Sequence, residues 1–185
     1  TTGFAIYYMQ YVYGNSDLYA VLAAVCGISQ LAALIVFPFF SKRYGRKRLY
    51  TFATGLVVAG YVIFFFAEAG IFLVAAAAVI IFVGQAFIQL LMLMFLSDTI
   101  EYGQWKLGKR NESVTFSIQP LINKIGGALS TGIISLCLVL SGIKTGDTAA
   151  ENIDDSGKLI VKCAMLLVPL VFILTGYFIY RVKYR

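Results

Sequence analysis

One lysine stands in the middle of a long apolar run, and its type and position make it the most chemically informative residue of the chain. Lys124 lies within the run from about 113 to 143, roughly 16 Å from the nearer end if the run forms a helix with a rise of about 1.5 Å per residue. An ammonium group at that depth of a bilayer costs about 2.5–3.5 kcal/mol on insertion scales. The position therefore favours a functional role for this charge.

Lys124 requires a compensating group, and the acidic residues of the chain are all placed elsewhere. The nine Asp and Glu residues fall at the ends of the apolar runs or between them. The compensating group must then be part of the protein outside this chain, a bound ion or substrate, or water, unless the lysine is neutral. A structural ion pair that only locks helices together is the competing interpretation.

A polar strip surrounds Lys124, and amide side chains lie beside it and on the preceding run. The strip repeats at spacings of three and four, and Gln119 and Asn123 occupy the adjacent stripe, so we expect this side of the helix to face a water-filled cavity. Gln85 and Gln89 form an i, i+4 pair, and amides suit hydroxyl-rich ligands because they donate and accept hydrogen bonds. Hydrogen bonding between helices is the alternative for this pair. The strip consists of Ser113, Ser117, Pro120, Lys124, Gly127 and Thr131.

The composition excludes a soluble domain. Hydrophobic residues make up 60% of the chain and charged residues 13%, and the mean hydropathy is +0.84, so lipid must be the solvent for part of the surface. The net charge of +6 is concentrated in short segments between apolar runs, as membrane topology requires. No basic groove with stacking aromatics is present, so nucleic acid is excluded as a partner.

The lengths of the apolar runs predict an all-α, polytopic membrane helix bundle. A helix needs about 20 apolar residues to cross the hydrocarbon core, and five runs reach that length: roughly 18–40, 49–67, 71–96, 113–143 and 158–180. A sixth run, roughly 1–13, is interpreted as the end of a span whose start lies outside the chain. The chain is therefore expected to be a fragment.

Basic residues mark one side of the predicted bundle. They occupy the segment from Lys42 to Arg48, the segment from Lys106 to Arg110, and the tail from Arg181. If every run crosses once, these three segments lie on the same side, and the positive-inside rule makes that side cytoplasmic. Glycines inside the runs are expected to let helices approach closely; they are Gly55, Gly60, Gly126, Gly127 and Gly132.

Motifs of catalysis are absent from the sequence. It contains no phosphate-binding glycine loop, nucleophile elbow or cluster of metal ligands, and no nucleophile and base occur at matched depth in the apolar runs. The three cysteines all lie inside these runs and are interpreted as small buried hydrophobic residues. We therefore predict that the chain is not an enzyme and holds no metal.

Three segments resemble a known family of membrane proteins. They are GFAIYYMQYVYG from Gly3, SDTIEYGQWKLGKRNES from Ser97 and SIQPLINK from Ser117. All three resemble the glycoside–pentoside–hexuronide:cation symporters of the major facilitator superfamily. The resemblance covers essentially the whole chain.

The resemblance implies a fold and a function. The superfamily has twelve spans in two six-helix bundles, and this chain corresponds to the C-terminal six-helix half with its first helix truncated. The implied function is secondary active symport of a sugar or glycoside with Na⁺ or H⁺ by alternating access. The implied partners are the sugar, the lipid bilayer and an N-terminal six-helix half. No cofactor besides the coupling ion is implied, and the implied location is the bacterial inner membrane.

The resemblance also assigns residues. Lys124 corresponds to a lysine involved in cation coupling, and Gln119, Asn123 and Gln89 correspond to positions at or near the sugar. Two alternatives stay open. One is a relative that carries a lipid or another anionic solute, in which Lys124 pairs with the substrate directly. The other is a non-transporting membrane scaffold.

A cytoplasmic gate is predicted at the end of the third full span. Asp98 and Glu101 are expected at a helix C-terminus, where the helix dipole disfavours anions, so they need cations. Arg110 or the absent half could supply them. The segment SKRYGRKR from Ser41 resembles a degenerate copy of a loop motif of the superfamily, with Lys42 in place of its aspartate, and positive-inside anchoring alone could explain it.

Overall fold

The structure, a computed structural model, describes residues 17–67, 70–108, 112–140 and 155–183. Within these residues the backbone forms five long helices and no strand, and each helix is long and apolar enough to cross a membrane. The prediction of an all-α membrane helix bundle is confirmed. The run 1–13 lies outside the described residues. The helices are α1 Asp17–Arg43, α2 Arg46–Phe66, α3 Ile71–Leu107, α4 Glu112–Leu140 and α5 Asp155–Lys183.

The third helix is longer than its sequence pattern suggests. The apolar run ends near residue 96, but α3 contains 37 residues and is about 55 Å long, well beyond a hydrocarbon core of about 30 Å. It ends where Gly108 adopts a φ of 67° and its N–H donates to the carbonyl of Gln104 at 3.0 Å. The expectation that Asp98 and Glu101 lie at a helix C-terminus is therefore wrong. The dipole effect fades within the last turn, and both residues precede that turn.

Glycines bring α2 and α3 into close contact. A Cβ added at Gly60 would lie 2.6 Å from Cγ1 of Ile81, and one at Gly84 would lie 2.5 Å from Cγ2 of Val57. The backbones lie close as well, since the carbonyl oxygen of Ala53 would be 3.1 Å from the Cβ added at Gly84. The interface is apolar and almost completely buried, so it forms the best-packed part of the bundle.

The close-approach prediction is confirmed for Gly60, and at the other four predicted glycines the described residues make no such contact. A Cβ added at Gly55, Gly126, Gly127 or Gly132 would meet nothing within 4 Å among the described residues. Small residues permit a close contact between helices, but they do not create one. Gly84, which the sequence analysis did not single out, has the contact instead.

The first and fifth helices join this pair through aromatic side chains. The ring of Phe37 in α1 packs edge-on against Phe87 in α3, with centroids 5.4 Å apart. Tyr180 in α5 packs against Tyr50 in α2 at 4.4 Å and against Phe95 in α3 at 5.2 Å.

These contacts place the described basic segments at the same end of the bundle, as the topology predicts. We refer to it as the basic end, defined by Lys42–Arg48, Lys106, Arg181 and Lys183.

The fourth helix is the most open of the five. Its buried side chains, among those that the structure describes, are Ile134 and Cys137, both in its second half. Its first half lies beside α3 with most side chains exposed. The helix runs unbroken through Pro120. The residues with candidate chemistry are concentrated on this helix and on the facing side of α3.

Candidate functional site

A cleft of about 280 Å³ lies between α3 and the first half of α4. Its α3 wall includes Phe95, Leu96 and Thr99, and its α4 wall includes Ile118 and Ile122. The apolar side chains supply most of the surface, and the polar groups are few. This is the usual construction of a small-molecule site, although the volume is slightly below the range of about 300–1,000 Å³ found for complete sites.

All three residues predicted to bind substrate line this cleft. Gln89 comes from α3, and Gln119 and Asn123 come from α4. Gln89 and Asn123 are exposed and Gln119 is half-buried, so their amide groups are available to a ligand in the cleft. Each amide offers two N–H donors and a carbonyl acceptor, which allows paired hydrogen bonds to the neighbouring hydroxyls of a polyol.

The structure separates the two glutamines of the i, i+4 pair. Gln89 lines the cleft, whereas Gln85 is half-buried and is not part of the lining. Gln89 is therefore the member of the pair that a ligand in the cleft could contact, and its role in binding stays a prediction.

Six lining residues of the cleft were not predicted as site residues, and a pattern could have revealed two of them. Met92 and Thr99 lie on the same stripe of α3 as Gln89, at helical spacings. The hydroxyl of Thr99 donates to the carbonyl of Phe95 at 2.9 Å, so its oxygen still offers lone pairs to the cleft. A search for a polar stripe on α3 opposite the amides of α4 would have found Thr99.

Lys124 lies beside the cleft rather than in it. It directly follows Asn123, and a helix turns by about 100° per residue, so its side chain points away from the cleft lining. It is exposed and lies about 18 Å from the start of α4 at Glu112, with an even longer stretch of helix beyond it. Among the described residues Lys124 has no ion-pair partner within 4.0 Å.

The polar strip around Lys124 forms one continuous open face. All six of its members are exposed. Its hydroxyl groups donate to the backbone of their own helix: Ser117 to the carbonyl of Val114 at 2.8 Å and Thr131 to that of Ala128 at 2.9 Å. These hydroxyl oxygens remain acceptors, so the face can solvate an ion or meet polar groups from another element.

At the basic end, Asp98 forms a salt bridge with Arg46. The sequence offered Arg110 or a residue of the absent half as the cationic partner, and the structure adds Arg46. Arg110 lies outside the described residues, so its pairing stays a prediction, and Glu101 is exposed on α3. In the sequence Arg46 belongs only to a positive-inside segment, because no local pattern shows that the start of α2 approaches Asp98.

The salt bridge adjoins the cleft. Asp98 directly precedes Thr99, which lines the cleft. The charged pair therefore lies within one helical turn of the end of the cleft that is nearer the basic end. The pair is partly exposed, at 45% for the arginine side chain and 24% for the aspartate. A pair of this exposure contributes little to stability, and it can open without a large cost.

An aromatic cluster packs against Phe95 in the α3 wall of the cleft. Phe95 lines the cleft and contacts Tyr50, with ring centroids 5.9 Å apart, and Tyr180, at 5.2 Å. Tyr177 extends the cluster: its ring lies 6.0 Å from Tyr50, and its hydroxyl donates to Oγ1 of Thr51 at 3.3 Å. The wall of the cleft is therefore connected through α3 to both α2 and α5.

Comparison with known sequences agrees with this architecture. The model of a family described as MFS/sugar transport protein matches residues 1–185. The chain is 35% identical over 169 residues to a raffinose carrier protein of Pediococcus pentosaceus, a match that covers 91% of this chain and 26% of the relative. It is 34% identical over 178 residues to a lactose permease of Lactobacillus delbrueckii subsp. bulgaricus, covering 96% of this chain and 28% of the relative.

A more distant relative, a glucuronide carrier protein homolog of Escherichia coli K12, is 27% identical over 177 residues, covering 95% of this chain and 38% of the relative. The chain thus spans between about a quarter and two fifths of the length of these relatives. The resemblance found in the three sequence segments is confirmed by these matches.

Proposed function

Because the chain belongs to the MFS/sugar transport protein family, we propose that it forms one half of a secondary active transporter for a sugar or glycoside. Transport is driven by a coupling cation, Na⁺ or H⁺, and proceeds by alternating access. The chain itself is a multi-pass membrane protein with at least five spanning helices. It belongs to a family of transporters and is not an enzyme.

The observation that carries the proposal is the convergence of Gln89, Gln119 and Asn123 on one cleft. Three amides on an otherwise apolar, partly aromatic surface suit a ligand rich in hydroxyl groups. The cleft is open and somewhat small for a complete site. A second six-helix bundle, facing the open side of α4, would complete it.

Lys124 is assigned to cation coupling. Lys124 follows Asn123 on the same helix, and its exposed side chain points away from the cleft; in the complete protein it would face carboxylates of the second bundle. Binding of Na⁺ or H⁺ at those carboxylates weakens their attraction for the lysine and changes the local geometry at Asn123. Coupling of this kind is reciprocal, so bound sugar must raise the affinity for the cation by the same factor.

The salt bridge between Arg46 and Asp98 is assigned to a cytoplasmic gate. It joins the start of α2 to α3 just beyond the cleft, so it tethers the elements that surround the cytoplasmic exit. The pair is expected to be formed when the transporter opens outward, and to break or change partners when it opens inward. The bacterial relatives support the bacterial inner membrane as the location.

Transport measurements test the proposal directly. The complete protein in proteoliposomes should accumulate at least one oligosaccharide or glycoside, and accumulation should require either a Na⁺ or a proton gradient. Uptake of an anionic solute or a lipid in place of neutral sugars would favour direct pairing of that substrate with Lys124. Absence of uptake for all solutes, with a correctly assembled protein, would favour a scaffold and overturn the proposal.

A matched pair of amide variants tests the cleft itself. Gln119→Ala removes an amide that lines the cleft, and Gln85→Ala removes one that does not. Loss of hydrogen bonds to a neutral hydroxyl costs about 0.5–1.5 kcal/mol, so Gln119→Ala should raise KM for the sugar by about 2- to 12-fold. Gln85→Ala should leave KM within about twofold of the unmodified protein. Equal effects would show that the cleft is not the binding surface.

A further inference from the structure

A second groove, of about 330 Å³, lies at the basic end between α1 and α2, separate from the cleft. Its walls are formed by Phe40 and Tyr44 on one side and Phe52 on the other, with Leu49 and Arg48 completing the lining. Leu49 is buried and forms the floor, whereas Arg48 is exposed at the rim. The groove is thus lined mainly by apolar side chains, with the cation of Arg48 at its opening.

The walls of the groove are held in place from inside the bundle. The rings of Phe40 and Tyr44 stack with centroids 6.2 Å apart, and Phe40 also contacts Phe87 of α3 at 5.8 Å. Two of the three aromatic rings therefore belong to a preformed wall. An occupant would gain apolar contact without ordering these side chains first.

The mouth of the groove is strongly cationic. Five of the seven residues from Lys42 to Arg48 are Lys or Arg, and the segment contains no acid. Arg46 is already paired with Asp98. Lys42, Arg43 and Arg48 are exposed and form no salt bridge with the described residues, so they are available to an anionic group at the membrane surface.

The depth of the groove matches the interface of a bilayer. Arg48 and Phe52 lie about 3 and 9 Å along α2 from its start at Arg46. With the start of α2 taken as the membrane surface, the cation lies at the level of the lipid headgroups and Phe52 lies at the level of the upper acyl chains. Tyr44 has the interfacial position that tyrosine favours in membrane proteins.

We propose that this groove binds an anionic phospholipid of the cytoplasmic leaflet. The phosphate and the anionic headgroup lie at Arg48, with further attraction from Lys42 and Arg43. The upper part of one acyl chain lies over Leu49 between Phe52 and the ring pair of Phe40 and Tyr44. Basic pockets between helices on the cytoplasmic side are suited to lipids of this charge.

Both parts of the groove point to one occupant. A free phosphate would use Arg48 but none of the apolar wall, and a neutral zwitterionic lipid would use the wall but gain little from the additional cations. An anionic phospholipid satisfies both. It would also attach the α1–α2 connection and the start of α2 at Arg46 to the membrane surface.

Native mass spectrometry of the purified protein with added phosphatidylglycerol or phosphatidylcholine provides the test. Phosphatidylglycerol should bind more tightly than phosphatidylcholine. Arg48→Gln should weaken its binding roughly fivefold, which corresponds to the attraction of one cation near the surface. Arg48→Lys keeps the charge and should retain most of the affinity. Phe52→Ala should also weaken binding several-fold through lost apolar contact.

Matched controls at other sites separate this site from general attraction to the membrane. Lys106→Gln removes another exposed cation of the basic end, and Phe72→Ala removes a phenylalanine that is 88% exposed and lies far from the groove; neither should alter binding. An equal loss with Lys106→Gln, or equal affinity for phosphatidylcholine, would overturn the proposal. So would full competition by inorganic phosphate, which would identify a site for a free anion.

Cross-linking gives an independent result. A phosphatidylglycerol with a photoreactive group in its upper acyl chain should label peptides that contain residues 40–52. If a cysteine introduced by Phe52→Cys is instead cross-linked to another segment of the protein, the groove is a protein contact and the lipid assignment is wrong.

Discussion

The α2–α3 interface and the open face of α4 both contain glycines within membrane helices. The glycines of the interface are tightly packed, whereas those of α4 have no described neighbour. At Gly60 and Gly84 the backbones of α2 and α3 approach so closely that a Cβ has no room. At Gly126 and Gly127 a Cβ would meet nothing among the described residues. A glycine thus permits two helices to approach closely, and the neighbouring side chains decide whether they do.

The two regions also differ in their polar groups. Among the described residues, Thr54 is the buried polar residue of the core. Its hydroxyl donates to the carbonyl of Tyr50 at 2.9 Å, so it needs no ligand. On α4 the ammonium of Lys124 and the amide of Asn123 are exposed. The packed region therefore serves as a scaffold, and the open region holds the groups that a ligand or a second bundle must satisfy.

The largest effect of a substitution in either region is expected for Lys124→Gln on the open face, measured as transport by the complete transporter. Gradient-driven accumulation of sugar should fall on the order of a hundredfold, within the upper range of known coupling free energies. Lys106→Gln is the matched control and should preserve uptake. A variant at Lys124 that still accumulates sugar fully would remove this residue from the coupling mechanism.

The second effect concerns the scaffold. Gly84→Ala places a Cβ in contact with Val57 and should lower the free energy of unfolding by about 2 kcal/mol, as overpacking in a tight core does. Gly127→Ala adds the same methyl group to the open face and should change stability by less than about 0.5 kcal/mol. Both variants can be compared by thermal unfolding in one detergent. Similar losses would mean that both glycines are packed in the complete protein.

The smallest effect on stability is expected from the salt bridge at the basic end. A double-mutant cycle with Arg46→Gln and Asp98→Asn should give a coupling of about 0.2–1 kcal/mol, because the pair is partly exposed. The transport rate should change more than KM for the sugar, since the pair lies outside the cleft. The reversed pair, Arg46→Asp with Asp98→Arg, should restore part of the rate. Equal changes in rate and KM in the single variants would reject the gate.

The sequence predicted the helices well because length and apolar content are sufficient for that purpose. The three residues that the resemblance assigned to the sugar, Gln89, Gln119 and Asn123, line one cleft, while their role in binding stays a prediction. The predicted end of α3 was wrong because the segment Ser97–Leu107 is more polar than the apolar run before it, yet its residues are compatible with a helix. Its apolar run stops at the membrane, while its helix stops only at Gly108.

The remaining differences all depend on tertiary structure. The partner of Asp98 is Arg46, more than fifty residues earlier in the chain, and no local pattern connects the two. The closely packed Gly84 differs from Gly126 only in its neighbours across the interface. The groove between α1 and α2 likewise exists only because Phe40 and Phe52 come from different helices.

The length of α3 has a mechanical consequence. The helix is held tightly at Gly84 and continues without a break for about 34 Å to Leu107, with the cleft and Asp98 in between. Beyond Gly84 the helix is also held at Phe95 by Tyr50 and Tyr180 and at Asp98 by Arg46. A shift of the α3 wall of the cleft would therefore be passed on to α2, to α5 and to the basic end, because one unbroken helix carries all of these contacts.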